Sequence, residues 1–573
     1  MIPRALRLPA LILLGSALAL AGGIRKPEPA DLVLTNGKIV TMDPGRPEAE
    51  ALAVRGGLIA AVGPARQIAA YIGPTTQVVD LGGRLATPGF IDSHLHFASL
   101  GAARMGLDLA KARNWDEIVA MVAEAVRTAK PGRPIIGRGW HQEKWDKRPD
   151  PNIDGLPLHD ALSRVSPDNP VILSHASGHS CLANAKAMEM AGVTAATPDP
   201  PGGRLVRDAR GRPIGAFLEN AQDLVQGVEA RWAAQLTSEE RLEEQRRVIA
   251  LADRECLSKG LTSVTDAGSP WSRVQLYKSA IDQGRLGVRL NVMLSEGNKR
   301  LAAHAAEWRM IGYGGNRLTV RSIKRLIDGA LGAHGAWLLE PYADLPDSTG
   351  LNTEPVEELR ETARIAIENG FQLGVHAIGD RANRETLNVY QATFRAHPDR
   401  KDVRFRIEHA QHLAAADIPR FAALGVVAAM QSIHCTSDGP WIALRLGEAR
   451  AAEGAYVWRK LMDAGAVVSN GTDSPVEDCD PIPGFYAAVT RRMKNGREFY
   501  PAQKMTRPEA LRSYTLNGAY AAFEEDLKGS LRPGKLADVT VFSKDLMTCP
   551  EEDILQAKVL WTIVGGKILY DGK

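Results

Sequence analysis

The run Pro88-Gly89-Phe90-Ile91-Asp92-Ser93-His94-Leu95-His96 leads from an apolar stretch into two histidines one residue apart. On a strand, side chains two positions apart point the same way, so His94 and His96 can offer both imidazoles to one cation. Three other polar residues close apolar runs of their own. His376 ends Leu373-Gly374-Val375-His376, His409 ends Phe405-Arg406-Ile407-Glu408-His409, and Asp473 follows the run 466–472. Imidazole nitrogens and a carboxylate suit zinc, manganese or iron(II), and a nitrogen-rich set favours zinc. The chemistry on offer is hydrolysis, because a divalent cation activates water and polarises a carbonyl.

Lys324, in Val320-Arg321-Ser322-Ile323-Lys324-Arg325, belongs to the same inventory by a different route. An ammonium ligates nothing, but a lysine desolvated beside cations loses its proton readily. The neutral amine can then capture carbon dioxide, giving a carbamate whose two oxygens bridge two metals. Glu219, in Gly215-Ala216-Phe217-Leu218-Glu219-Asn220, is the rival acidic ligand. One or two divalent metals per chain, zinc foremost, are therefore the cofactor expectation, with carboxylation of Lys324 as an option. Trp140, Trp145, Trp337 and Trp441 are candidates for an apolar pocket wall, plain packing being their other role.

These residues are far apart in sequence, so the fold must collect them. Helical periodicity at 238–259 is followed by the β-like Thr262-Ser263-Val264-Thr265-Asp266, and 356–369 by Gln372-Leu373-Gly374-Val375-His376; 404–409, 414–424 and 426–431 continue the alternation. Such alternation makes a parallel sheet, and polar residues at successive strand ends predict closure into a (β/α)8 TIM-type barrel, whose C-terminal face gathers all of them. Both chain ends have β texture instead. Near the start, 31–34 and 38–42 flank Asn36-Gly37, a hairpin signal, and 51–54, 58–62 and 77–80 follow. Near the end, 537–542 and 559–564 precede Gly565-Gly566 and Lys567-Ile568-Leu569-Tyr570. The expectation is an α/β chain with a barrel and its insertions at 88–515, and a β-sandwich domain built from 31–87 and 516–573.

Composition narrows the function class. With 70 Lys+Arg against 67 Asp+Glu the net charge is +3, and no basic stripe interleaved with aromatics appears, which argues against nucleic acid as a partner. Arg4 and Arg7, the apolar stretch 8–20 and a small-x-small site ending at Ala21 form a secretory signal pattern over 1–21, with a linker at 22–30. Cleavage there removes both arginines and lowers the charge to +1. The stretch is short for a membrane span, which needs ~20 apolar residues. Export to the periplasm or medium, with no stable membrane anchor after cleavage, is the expected location. The five cysteines show no CxxC spacing.

Read together, the segments are similar to the amidohydrolase superfamily, and within it to the amidohydrolase-3 branch that includes N-substituted formamide deformylase. The resemblance rests on Gly89-Phe90-Ile91-Asp92-Ser93-His94-Leu95-His96, Ser177-Gly178-His179-Ser180, Asp328-Gly329-Ala330-Leu331-Gly332, Val375-His376-Ala377-Ile378-Gly379-Asp380, Ile407-Glu408-His409-Ala410-Gln411 and Gly471-Thr472-Asp473-Ser474-Pro475. It implies that His94 and His96 hold the more buried metal, that His376 and His409 hold the second, and that Asp473 both ligates and moves protons. Lys324 stands where similar proteins carry a lysine open to carboxylation, and His179 falls in a segment that faces the pocket. Two departures border the substrate: Gln431-Ser432-Ile433-His434 replaces a common Gln-Pro-x-His, and His141 in Gly139-Trp140-His141-Gln142 stands where an acid is usual. Trp140, His141, His179, Glu219 and His434 are the substrate-binding candidates. The implied activity is hydrolysis of a C–N bond in a linear, N-substituted, non-peptide amide. Ester, lactone or carbamate hydrolysis or isomerisation on the same metal site is the first alternative, and an exported non-catalytic binding or regulatory protein the second. The partners expected are a small-molecule substrate and, optionally, further copies of the chain in a homo-oligomer.

Overall fold

The apolar runs become strands β1 (Phe90–Leu95), β2 (Leu261–Ser269), β3 (Arg289–Leu294), β4 (Leu318–Leu326), β5 (Gln372–Ala377), β6 (Arg406–His409), β7 (Val427–Met430) and β8 (Val468–Asn470). They lie side by side in chain order, and every ladder from β1 to β8 is parallel. The computed structural model describes residues 27–572 apart from 110, 141, 143, 144, 176–179, 201, 202 and 333, and the backbone alone of Glu219. The signal pattern at 1–21, most of the linker, His141, His179 and the Glu219 side chain therefore lie outside the described residues.

Burial on both faces explains why these strands read as near-continuous apolar runs. All six residues of β3 are buried, as are all of β1, β6, β7 and β8. Phe90, Val264, Val292, Val320, Leu373, Ile407, Ala428 and Val468 join one core with the surrounding helices. The helices that matter for the site are α1 (Phe97–Ala103), α2 (Ser238–Ser258), α3 (Val356–Glu368) and α4 (Ser432–Leu446). A capping box starts α2, the Thr237 hydroxyl accepting from the Glu240 N–H while Glu240 reaches back to Thr237.

Between β8 and β1 the barrel is nearly closed by turn backbone and side chains. Asp473 N donates to His94 O at 2.7 Å, His96 N donates to Ser474 O at 2.8 Å, and the Thr472 hydroxyl donates to Asp92 Oδ2 at 2.6 Å. Gly471 is required at this seam, since a Cβ there would sit 2.5 Å from His94 N and 2.7 Å from Asp92 Oδ1.

Two further assemblies surround the barrel. An insertion between β1 and β2 carries a six-stranded sheet, ordered Gly203–Arg207, Pro213–Glu219, Ser180–Ala183, Val171–His175, Ile135–Trp140, Leu107–Asp108, over its own core of Trp115, Ile118, Trp140 and Leu173. The chain ends form two more sheets, one from the N-terminal strands alone and one that pairs Leu85–Pro88 with Val539–Phe542. Leu32, Leu52 and Val54 of the first share an apolar core with Ile39, Val539, Val541 and Trp561 of the second.

The Asn36-Gly37 hairpin does not form. Leu32–Thr35 pairs with Ala51–Arg55 and Gln77–Asp80, whereas Lys38–Val40 pairs with Leu85–Pro88 in the other sheet. Asn36, at φ 54°, turns the chain from one sheet to the next, and Gly37 is pressed so close to Leu81 that a Cβ would meet Leu81 Cδ1 at 2.3 Å. The hairpin expectation fails because these turn residues serve a corner between two sheets. Gly565-Gly566 does join a true hairpin, Val559–Val564 to Lys567–Asp571.

Candidate metal centre

His94, on the inner side of β1, is fully buried, and its ring is fixed from behind. Nδ1 lies 2.5 Å from Glu408 Oε2, and Arg406 holds that carboxylate through Nε at 2.6 Å and Nη2 at 2.9 Å. Arg406 and Glu408 alternate along β6 and are both buried. With Nδ1 engaged, Nε2 faces the centre, 3.4 Å from Asp473 Oδ1 and 3.5 Å from Lys324 Nζ. His96 Nε2 approaches the same Asp473 oxygen at 3.3 Å.

A second group of imidazoles closes the other side. His409 Nδ1 lies 2.7 Å from Gln431 Oε1, which turns its Nε2 inward in the same manner. The His409 ring stands 4.4 Å from that of His376, 4.8 Å from that of His94, and nearly parallel to His434 at 6.3 Å. Ligand atoms of His94, His96 and Asp473 lie within 4.8 Å of one another, and so do those of His409, His434 and Asp473. Asp473 is common to both groups. His409, Ala410 and Asp473 have φ of 76°, 43° and 58°, a left-handed backbone that costs non-glycine residues about 1–3 kcal/mol each. The strain lies where the strand ends turn their side chains inward.

The electrostatics suit a cation. Burial pushes the Asp473 carboxyl up, but hydrogen bonds to His94 and His96 prevail and hold it well below the usual range, so it is ionised. Burial likewise drives His376 down to about 3, helped by Lys324 and His94, and takes His409 well below its ordinary value. Both are therefore neutral at pH 7, the form that ligates metal. Glu408 stays ionised because Arg406 and His94 outweigh its burial. Burial lowers the Lys324 ammonium, against opposition from Glu408 and Asp473. Nε2 of His376 and Nε2 of His434 are buried without a hydrogen-bond partner. Orphaned acceptors are costly in a protein interior, and a cation among these donors would satisfy them. The residues present fit a divalent metal.

The structure thus brings together His94, His96, Lys324, His376, His409 and Asp473, and adds His434 from the first turn of α4. Lys324 is 3 % exposed, so it is no surface lysine. Trp140 goes elsewhere: it is buried in the insertion, donates its indole N–H to Leu173 O at 2.8 Å, and packs edge-on against His175. It is a packing residue of the insertion's core. Trp337 is stacked under Arg381 at 4.5 Å, and Trp441 covers Gly332. Sequence reasoning missed Glu408, Arg406 and Gln431 as supports, together with two buried acids. Asp328 accepts N–H bonds from Trp337, Ile378 and Gly379, fixing the loop after β4 beside His376; Asp92 accepts from Thr472 and the His94 N–H. Burial raises both to about 7. For Asp92, Arg406 and Glu408, ionisable residues inside otherwise apolar strands were the available signal; Asp328 and Gln431 follow their strands and carried none.

A parallel barrel with imidazoles and a carboxylate at the C-terminal strand ends defines a class, the metal-dependent hydrolase barrels. A family model described as "Amidohydrolase family" matches residues 77–570. The chain belongs to that family and is a metal-dependent hydrolase by membership. It is 34% identical to Protein LONG AFTER FAR-RED 3 of Arabidopsis thaliana over 94% of this chain and 92% of that protein. It is 27% identical to N-substituted formamide deformylase of Arthrobacter pascens over 94% of this chain and 98% of the other. Among solved structures, an uncharacterized metal-dependent hydrolase from Pyrococcus horikoshii OT3 superposes with a TM-score of 0.71 at 27% identity, covering 91% of this chain and 99% of that one.

Proposed function

We propose that the protein hydrolyses the C–N bond of a linear, N-substituted, non-peptide amide at a zinc centre of one or two ions. The observation that carries this is Asp473, an ionised carboxylate shared by two imidazole groups at one face of the barrel. The likeness to N-substituted formamide deformylase over nearly the whole chain supports the choice of amide. His94, His96 and Asp473 would hold one ion, and His376 and His409 a second, with His434 as the neighbouring donor. A bound divalent cation supplies Lewis acidity and lowers the pKa of water from ~15.7 toward ~7. Asp473 accepts the proton of the attacking water and delivers it to the departing nitrogen, acting first as base and then as acid. Glu408 and Gln431 hold the imidazoles in the tautomer that directs Nε2 inward. Lys324, with its ammonium disfavoured by burial, can add to carbon dioxide with loss of one proton, and its carbamate would lie beside His94.

The first 21 residues support export to the periplasm or medium. The two end sheets are read as a β-sandwich domain, at 31–87 and 516–573, that braces the barrel and contributes nothing to the chemistry.

The test is a pair of substrates sharing one acyl group, an N-substituted formamide and the corresponding formate ester, assayed with wild type and Asp473→Asn. Turnover of the amide that is abolished by Asp473→Asn supports the reading. Turnover of the ester alone would replace the amide with an ester, and equal rates in both proteins would remove Asp473 from the mechanism.

A further inference from the structure

Between the insertion and the barrel lies a cavity of about 900 Å³, bounded by α1, α2, the helix Asp223–Gln235 and the strand Ile135–Trp140. No residue of the metal centre lines it. Its volume falls in the range of about 300–1,000 Å³ that takes a small organic ligand. Small and apolar residues make the room, with Ala98, Ala102 and Ala103 from α1, Ile136 from the insertion and Val248 from α2. The charge around it is one-sided. The chain as a whole has 70 Lys+Arg against 67 Asp+Glu, yet five arginines and two glutamates line this one space. Arg133 is already paired, its Nη2 2.9 Å from Glu244 Oε2 and its guanidinium over the Trp232 ring at 5.6 Å. Arg241 Nη1 donates to Leu236 O at 2.6 Å, which leaves its charge uncancelled. Arg138, Arg247 and Arg273 have no ion pair or side-chain hydrogen bond with the described residues, and Glu229 is the one other carboxylate of the lining. Like charges around a low-dielectric recess focus their field and concentrate counter-ions there.

We propose that this cavity binds a small organic anion, an aryl or alkyl group carrying one carboxylate, sulfonate or phosphate. The unpaired arginines hold the anionic group, since a guanidinium offers parallel N–H donors that match its oxygens. The apolar part lies against the alanines of α1. A neutral molecule gains nothing from the arginines and a cation is repelled by them, so charge decides what enters. The inference is independent of the proposed substrate, because the cavity and the metal centre share no residue. α1 begins at the residue after His96, so an occupant lies against the helix that leaves the metal centre.

The experiment titrates the metal-loaded full chain with two fluorescent dyes that differ by one group, 8-anilinonaphthalene-1-sulfonate and the uncharged N-phenyl-1-naphthylamine. The expected result is a single saturable sulfonate site per chain, with the neutral dye bound more weakly. Arg247→Gln/Arg273→Gln should weaken the sulfonate about 10-fold or more, the loss of a hydrogen bond to a charged group, and leave the neutral dye unchanged. Ala102→Phe, which narrows the cavity and keeps every arginine, should weaken the sulfonate as well, with circular dichroism showing both variants folded. Absence of a saturable site, or equal affinity of the wild type for both dyes, would overturn the proposal. So would a sulfonate affinity unchanged in the arginine variant or in Ala102→Phe, since the dye would then be bound elsewhere.

Discussion

Asp473 is where the residue-scale account is most exposed. Its carboxylate is held ionised against burial by His94 and His96, and it has no neutral isostere that accepts a proton. Asp473→Asn should therefore lower kcat by about 10²–10⁴-fold, with an unchanged far-UV circular dichroism spectrum. Glu408 acts only through His94, so Glu408→Gln should weaken metal retention by about 10–100-fold, read as metal lost during dialysis against a graded chelator series. His94, His96, His376, His409 and Asp473 were legible because each ends an apolar run, and strand ends share a barrel face. The supports were not, since Glu408 to His94 and Gln431 to His409 are contacts between different strands, and spacing in sequence carries no record of them.

At the scale of elements, the seam between β8 and β1 matters most. Here Gly471 lies against His94 N and Asp92 Oδ1 with no room for a methyl group. Gly471→Ala should cost about 1–3 kcal/mol, the usual penalty of overpacking, seen as a lowered urea midpoint at unchanged slope. It should also disturb the turn that delivers Asp473. The strands and helices themselves were legible from apolar runs and helical periodicity, and α2 and α3 end within one residue of the expected positions. Asn36-Gly37 shows the limit of local reasoning. A turn signal states that the chain bends; which strands then pair is decided by distant partners, here Arg84 O for the Lys38 N–H and Glu50 O for the Gly37 N–H.

For the molecule as a whole, the barrel and the end sheets are joined by a buried ion pair. Arg289 at the start of β3 donates Nε and Nη2 to the two oxygens of Asp538, at 2.7 Å and 2.9 Å, and both side chains are only 4% exposed. Asp538→Ala would leave the guanidinium buried and unpaired, a loss of about 3–5 kcal/mol measurable by urea unfolding. Acid should weaken the fold too. Burial drives His412 down to about 3, and both of its ring nitrogens are buried without a partner. The unfolded chain takes up that proton near pH 6.5, so this contribution is complete above pH 6.5 and is lost progressively as pH falls toward 3. Asp538, held down by Arg289 against its burial, keeps its contribution down to about pH 3.8 and loses it only in stronger acid. Asp92 and Asp328, raised to about 7 by burial, act in the opposite direction over this range, so the His412 contribution is read by difference: on going from pH 7 to pH 5 the urea midpoint of His412→Gln should shift upward relative to that of the wild type. The alternating pattern made the barrel legible, but the six-stranded insertion was hidden, because its strands are short and its ladders mix parallel and antiparallel neighbours.

The central claim is that one strand-end cluster holds the metal on which hydrolysis depends. Metal per chain, measured by elemental analysis on untagged wild type and on a folded His94→Ala/His96→Ala variant, tests it most directly. The account predicts about one or two equivalents of a divalent metal in the wild type, and a loss of at least one equivalent together with activity in the variant. Wild-type metal content in the folded variant, or full hydrolase activity without any metal, would contradict it.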